Sequence, residues 1–219
     1  MTDGKYTIGI DVGGTFTDIV AVANEGTVIF SKAPSTPVDP SIGVMDAIAR
    51  LSFELQTDSA SLLAKTERIV HGTTVATNAL LERKGAKTGL LTTLGHRDVL
   101  EMREGLKDDR YNMRLPPPET LVPRYLRLGV NERMRADGTV HRKLDTASLN
   151  AAIETLRGAE VTSVAVCYLH AYKDASHEKE TRERIEAKLP GVSVSLSSEV
   201  FPEIKEYERV STTVVNAYV

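Results

Sequence analysis

Apolar residues alternate with period two in three short runs near the start of the chain, over residues 6–11, 17–23 and 27–33, each separated from the next by a glycine-containing turn. Alternation rich in β-branched residues predicts strands, and the short turns predict an antiparallel meander. Pro34, Pro37 and Pro40 then force an extended connection. Behind Asp39 or Ser41 as a cap, Ile42, Val44, Met45, Ile48, Leu51 and Leu55 recur at helical spacing. A strand over 68–71 leads into a helix over 73–84 closed by Gly85, and a further strand over 88–92 follows. The first hundred residues or so therefore read βββαβαβ, an open mixed sheet with helices packed on it.

The middle of the chain changes character. Pro116, Pro117, Pro118 and Pro123 fall within residues 115–123 and predict a semi-rigid extended connector. Beyond it, runs over 125–134 and 139–144 flank Ala136-Asp137-Gly138, a hairpin signal because Asp-Gly accepts the positive φ of the turn. A helix from Asp145 or Thr146 to about residue 157, a strand over 161–168, a charged helix over 176–189 ended by Pro190-Gly191 and a strand over 192–196 make a second, βαβ-like unit. The expected domains are an N-terminal lobe over 1–115, a smaller α/β subdomain over 116–200, and the start of a helix over 201–219. The last run is helical in pattern and stops on an apolar residue without Gly, Asn or Pro, so the chain is expected to be part of a longer protein.

Composition narrows the function classes. Of 219 residues, 41% are hydrophobic and 26% charged, as in ordinary soluble domains. With 27 Lys and Arg against 30 Asp and Glu the formal charge is -3, which provides no basic field for nucleic acid or an acidic membrane. The single cysteine, Cys167, lies in the apolar run 161–169 and reads as a buried core thiol in a reducing, cytoplasmic compartment. The polar first residues, and the break of the next apolar stretch by Asp11, match neither a signal peptide nor a membrane span.

The chemistry concentrates in Ile8-Gly9-Ile10-Asp11-Val12-Gly13-Gly14-Thr15-Phe16-Thr17-Asp18. Gly13 and Gly14 let the backbone turn sharply and bring its N–H groups to an anion, while Thr15 and Thr17 add hydroxyl donors. Asp11 and Asp18 fit beside phosphate only when a hard cation such as Mg²⁺ stands between them. Neither G-x-x-x-x-G-K-[ST] nor G-x-G-x-x-G occurs in the chain. The same residues also satisfy a plain β-turn. A second motif, His71-Gly72-Thr73-Thr74, falls where a strand meets a helix, a position that favours an anion or a developing oxyanion. There His71 is a candidate proton donor or substrate ligand, and Thr73, Thr74 and Asn78 are candidate substrate contacts, although a strand-end hydrogen bond and a helix cap explain them too. Arg97, Asp98, Glu101 and Arg103 read as i,i+4 surface pairs, and Glu206 with Arg209 as a salt bridge. His170 and His177 lack a companion at zinc spacing.

Taken in order, Gly9 to Asp18, His71-Gly72-Thr73-Thr74-Val75-Ala76-Thr77-Asn78-Ala79-Leu80, Gly89-Leu90-Leu91-Thr92-Thr93 and Glu206-Tyr207-Glu208-Arg209 with Ser211-Thr212-Thr213 resemble the N-terminal region of the hydantoinase A and 5-oxoprolinase family, along nearly the whole chain. The resemblance implies an α/β fold of the actin-like ATPase (ribonuclease H-like) superfamily, a mixed sheet with flanking helices plus a smaller α/β subdomain. It implies ATP and Mg²⁺ as cofactors, with the first hairpin on the phosphates, Asp11 and Asp18 on the metal, and the adenine pocket in a C-terminal half. It also implies a hydantoinase B-type subunit or domain as partner, in an oligomer. The expected activity is ATP-dependent opening of a cyclic amide, as in N-methylhydantoinase or 5-oxoprolinase, with Asp11, Asp18 and His71 as the catalytic candidates. A subunit of an acetone or acetophenone carboxylase is the alternative. An ATPase activator module stands lower, since such modules bring cysteines for an iron–sulfur cluster and this chain has only Cys167. Where the family often carries Phe, this chain has His96, which points to variation in substrate contacts.

Overall fold

The alternating runs form strands β1 (Tyr6–Val12), β2 (Phe16–Ala23) and β3 (Val28–Pro34), and Ile8, Ile10, Ile19, Ala21 and Ala33 are buried on one face. The computed structural model describes residues 5–36, 38–105, 109, 111–116 and 119–219, so Pro37, Pro117 and Pro118 lie outside the described residues. Helix α1 (Pro40–Glu54) starts with proline and is capped by Asp39, whose carboxylate accepts the Ser41 N–H; it packs Ala47, Ile48 and Leu51 into the core cluster formed with that face. A short helix α2 (Ser59–Ala64), capped by Asp58 and without a sequence-level expectation, adds Leu62 to the same core. Strand β4 (Thr66–Thr73) then pairs in parallel with β1, giving the mixed order β3-β2-β1-β4, and α3 (Val75–Leu81) follows. These elements make up one of two compact units, residues 1–82.

The second unit, residues 83–219, is built on a wholly parallel sheet. Its elements are β5 (Thr88–Thr93), α4 (Val99–Met102), β6 (Arg127–Val130), a hairpin of β7 (Arg133–Met134) and β8 (Val140–Arg142), α5 (Thr146–Gly158), β9 (Ser163–Cys167), α6 (Ser176–Lys188), β10 (Ser193–Leu196), α7 (Ser197–Val200) and α8 (Glu206–Tyr218). The sheet order is β10-β9-β5-β6. Strand β5 thus pairs with β6 and β9 rather than extending the meander. The reason is burial: every residue of β5 is buried, which requires layers on both faces, as parallel sheets have. Residues 125–134 divide between β6 and β7, so only the far end of that run enters the Asp137-Gly138 hairpin, where Gly138 takes φ +87.

Other expectations are corrected by long-range packing. Gly85 does not cap α3, whose C-cap is Glu82; a Cβ at Gly85 would fall 2.2 Å from the Tyr218 ring, so the glycine permits close approach of α8. Asp98 and Glu101 pair with Arg124 (3.0 Å) and Arg127 (2.6 Å) rather than with i+4 neighbours. Arg209 is buried and donates to the Glu203 carbonyl at 2.7 Å, while Glu206 lies 3.7 Å from the His96 ring. Glu178 is fully buried and accepts from the Tyr168 and Ser198 N–H groups and the Ser197 hydroxyl, yet burial still pushes its carboxyl above the usual range. No helix among the described residues is long and apolar enough to cross a membrane.

Cys167 is a core residue, and burial pushes its thiol far above the ordinary range. A disulfide-exchange reagent at about pH 8 is expected to leave it unmodified in the native protein and to react with it stoichiometrically in denaturant. Rapid reaction of the native thiol would contradict this packing.

Candidate phosphate and metal site

The turn between β1 and β2 is closed by its own backbone. The Gly13 N–H donates to the Phe16 carbonyl at 3.0 Å, and a Cβ on Gly13 would sit 2.9 Å from that oxygen. Ser35, just past β3, holds the turn from the side: its N–H donates to the Thr15 carbonyl at 2.9 Å and its hydroxyl to the Gly13 carbonyl at 2.8 Å. With the Ser35 proton used there, the 3.1 Å contact with Thr17 Oγ1 requires Thr17 to be the donor. Thr17 is fully buried, so the structure does not place it with Gly14 and Thr15 on the open side of the turn. Those two are exposed, and their amides take no hydrogen bond among the described residues.

The end of β4 and the start of α3 dock beside this turn. The Thr74 N–H donates to the Val12 carbonyl at 3.1 Å; the Thr73 hydroxyl reaches the same carbonyl at 3.4 Å and accepts from the Val75 N–H at 3.2 Å. Asn78 donates from Nδ2 to Thr74 Oγ1 at 3.1 Å, and a Cβ on Gly14 would lie 3.0 Å from that same nitrogen. Gly13, Gly14, Thr73, Thr74 and Asn78, distant in sequence, are therefore brought together.

Register produces the third component. Asp11 lies opposite Asp18, Asp18 opposite Lys32 and Asp11 beside Gly72, so one residue from each strand forms a row across one face. Like charges directly opposite on antiparallel strands are unfavourable. Lys32, 3.7 Å from Asp18 and 4.3 Å from the Phe16 ring centroid, offsets one of the two carboxylates. An open groove of about 1000 Å³ runs along this face, with Asp11, Asp18, Phe30, Lys32, Val70 and Gly72 among its lining residues. His71 is not among them. It is in register with Ile10, which turns its side chain to the opposite face from Asp11.

Among the described residues no group of three or more His, Cys, Asp or Glu is arranged to hold a metal ion, so the chain offers a cation two carboxylates. That donor set suits Mg²⁺, which keeps several waters and bonds one or two carboxylates together with phosphate oxygens. Lys32 and Ser35 escaped the sequence reading because each joins the site only through strand pairing or a turn that closes from a distant segment.

The turn geometry ranks two substitutions. Gly13→Ala meets a backbone carbonyl and is expected to cost more stability than Gly14→Ala, which meets the end of a side chain, within the ~0.5–3 kcal/mol range of single substitutions. In an Asn78→Ala background the Gly14→Ala cost is expected to shrink, as denaturant unfolding of the double-mutant cycle would show. Equal costs, or no coupling to Asn78, would contradict the docking described.

Residues 7–189 match the family described as "Hydantoinase/oxoprolinase N-terminal region". The chain is 43% identical over 220 residues to the caprolactamase subunit alpha of Pseudomonas jessenii, covering 100% of this chain and 32% of that protein. It is 36% identical over 229 residues to the acetophenone carboxylase gamma subunit of Aromatoleum aromaticum, covering 99% and 31%. Two solved structures are similar: the ATP-dependent caprolactamase from Pseudomonas jessenii, with TM-score 0.85 and 44% identity over 98% of this chain and 31% of that one, and nucleotide-free acetone carboxylase, with TM-score 0.88 and 28% identity over 98% and 32%. The chain spans about a third of the length of these relatives.

Proposed function

Because the chain belongs to the hydantoinase/oxoprolinase N-terminal family, we propose that it is the nucleotide-binding region of an ATP-dependent hydrolase that activates a lactam or imide carbonyl by phosphorylation before ring opening. The observation that carries this reading is the juxtaposition of two opposed carboxylates with a glycine turn whose Gly14 and Thr15 amides have no acceptor among the described residues. Bound Mg-ATP would supply the phosphoryl group that turns the oxygen of a resonance-stabilised amide into part of a good leaving group. The chain's own task is positioning and charge neutralisation, which dominate phosphoryl transfer.

In this reading Asp11 and Asp18 hold magnesium, directly or through water, and Lys32 tempers their repulsion. Gly14 and Thr15 offer N–H groups, and Thr15 a hydroxyl, to phosphate oxygens. Gly13, whose N–H is taken by Phe16, shapes the turn, and buried Thr17 anchors it through Ser35. Asn78, beside Gly14 and tied to Thr74, sits where a substrate would meet the phosphates; Thr73 fixes the strand end behind it. His71, exposed and turned to the face opposite Asp11, has no part in holding the metal in this reading. In this reading the partner is a subunit of the hydantoinase B type and the enzyme works in the cytoplasm; that relatives are named as subunits supports a partner subunit.

Ketone carboxylation is the second reading, favoured by the likeness to acetone carboxylase; the higher identity to caprolactamase places cyclic amides first. The two separate in one experiment on the full-length protein with its partner subunit. Phosphate release is measured with hydantoins, 5-oxoproline, caprolactam, or a ketone plus bicarbonate. Stimulation by a cyclic amide is expected, and stimulation by ketone and bicarbonate alone would overturn the hydrolase reading. Asp11→Asn is expected to lower turnover by about 10²–10³-fold while the fold persists, since Asp11 is exposed at a strand end. Retained activity would remove its metal role.

A further inference from the structure

The second unit carries a cavity of its own, about 700 Å³, lined by Thr93, Arg133, Arg135, His141, Arg142 and His170 among others. Its position follows from the sheet topology. The chain runs from β5 outward to β6, then crosses to the other side of β5 for β9 and β10, so the order reverses between β5 and β9. Open parallel sheets bind ligands outside the carboxyl ends of the strands at such a reversal, where two loops diverge and leave a crevice. Thr93 ends β5 and His170 follows β9, and both line the cavity.

Three arginines, Arg133, Arg135 and Arg142, contribute to its lining. Arg133 lies directly opposite Arg142 across the β7–β8 hairpin, an arrangement that is unfavourable for like charges. Several other arginines meet carboxylates, as Arg124 does Asp98, Arg127 does Glu101 and Arg182 does Glu199, whereas Arg50, Arg83 and Arg209 meet backbone carbonyls. Among the described residues none of Arg133, Arg135 and Arg142 forms an ion pair. Their contacts are with imidazole and amide groups instead: Arg133 Nη1 lies 3.1 Å from His96 Nε2, Arg135 Nη2 3.0 Å from His141 Nδ1, and Arg142 Nη1 donates to Asn131 Oδ1 at 2.8 Å.

Two acids, Glu132 and Asp137, share the lining with these arginines, and a third, Glu206, lies 3.7 Å from His96. Glu132 is buried, accepting from the Thr93 hydroxyl and lying 2.8 Å from His177 Nδ1. Asp137 accepts from the Thr139 N–H and hydroxyl within the turn. Three arginines against two carboxylates leave the lining net positive, and at His170 burial first, then the charges of Arg133 and Arg209, opposed by Glu206, hold the pKa below the ordinary value. Leu94 and Met134 add an apolar wall.

We infer that this crevice binds an organic anion, a small molecule whose carboxylate or phosphate group bridges Arg133 and Arg142. Guanidinium forks suit either group, since both present paired oxygens. The inference is independent of the nucleotide site, which lies in the other unit.

The test is titration calorimetry of the full chain with glutarate, with glycerol 3-phosphate and with neutral glutaramide, at low salt. At least one anion is expected to bind and glutaramide not to; glutarate alone would identify a carboxylate site, glycerol 3-phosphate alone a phosphate site. Arg142→Gln is expected to weaken binding by about tenfold or more while leaving thermal stability unchanged or raised, because it also relieves the opposed charges. Failure of both anions to bind, equal binding of the neutral compound, unchanged affinity in the variant, or a marked fall in its melting temperature would each overturn the inference.

Discussion

Strand register is the constraint on which the first unit turns. In an antiparallel pair a slip of one residue moves every side chain to the other face, so the buried face fixes what must stand together on the exposed one. Burying Ile8, Ile10 and Ile19 is worth roughly 1.5–3 kcal/mol for each side chain, whereas opposing two exposed carboxylates costs about 1 kcal/mol or less. The core therefore wins, and Asp11 is held against Asp18 with Lys32 as its only compensation within the row. A fold that enforces this pairing suits the proposed cation site, because the repulsion is already present before anything binds.

The same physics recurs with opposite sign. The β7–β8 hairpin opposes Arg133 and Arg142 as β1 and β2 oppose their aspartates, each pair beside a cavity within its own unit. What differs is the scaffold. The acidic pair adjoins a glycine turn with outward amides on a mixed sheet, while the basic pair stands at the order reversal of a parallel sheet. Each arrangement opposes like charges across a strand pair and is kept in place by neighbouring packing.

Local chemistry was legible in the sequence wherever its cause was local. The three opening strands, the Asp39 and Asp145 caps, the Asp137-Gly138 turn and the buried Cys167 all follow from residues within a few positions of one another. Failures were failures of distance. Nothing near Gly85 announces that Tyr218 will press against it, and the acidic residues after β5 give no sign of their partners in residues 124–127. The candidate site divides in the same way. The glycine turn and both aspartates can be read from one segment, but the parallel register with β4 decides that Gly72 joins Asp11 while His71 faces away. Thr17 looked like an open hydroxyl because its neighbours are open; the proton it gives to Ser35 depends on where the chain returns after β3.

Crystals of the full-length protein with a manganese nucleotide complex, measured at the manganese absorption edge, test the central claim most directly. The anomalous peak is expected beside Asp11 and Asp18, with phosphate density against the Gly14 and Thr15 amides. A peak and triphosphate elsewhere, or an Asp11–Asp18 face sealed by another part of the protein, would contradict it.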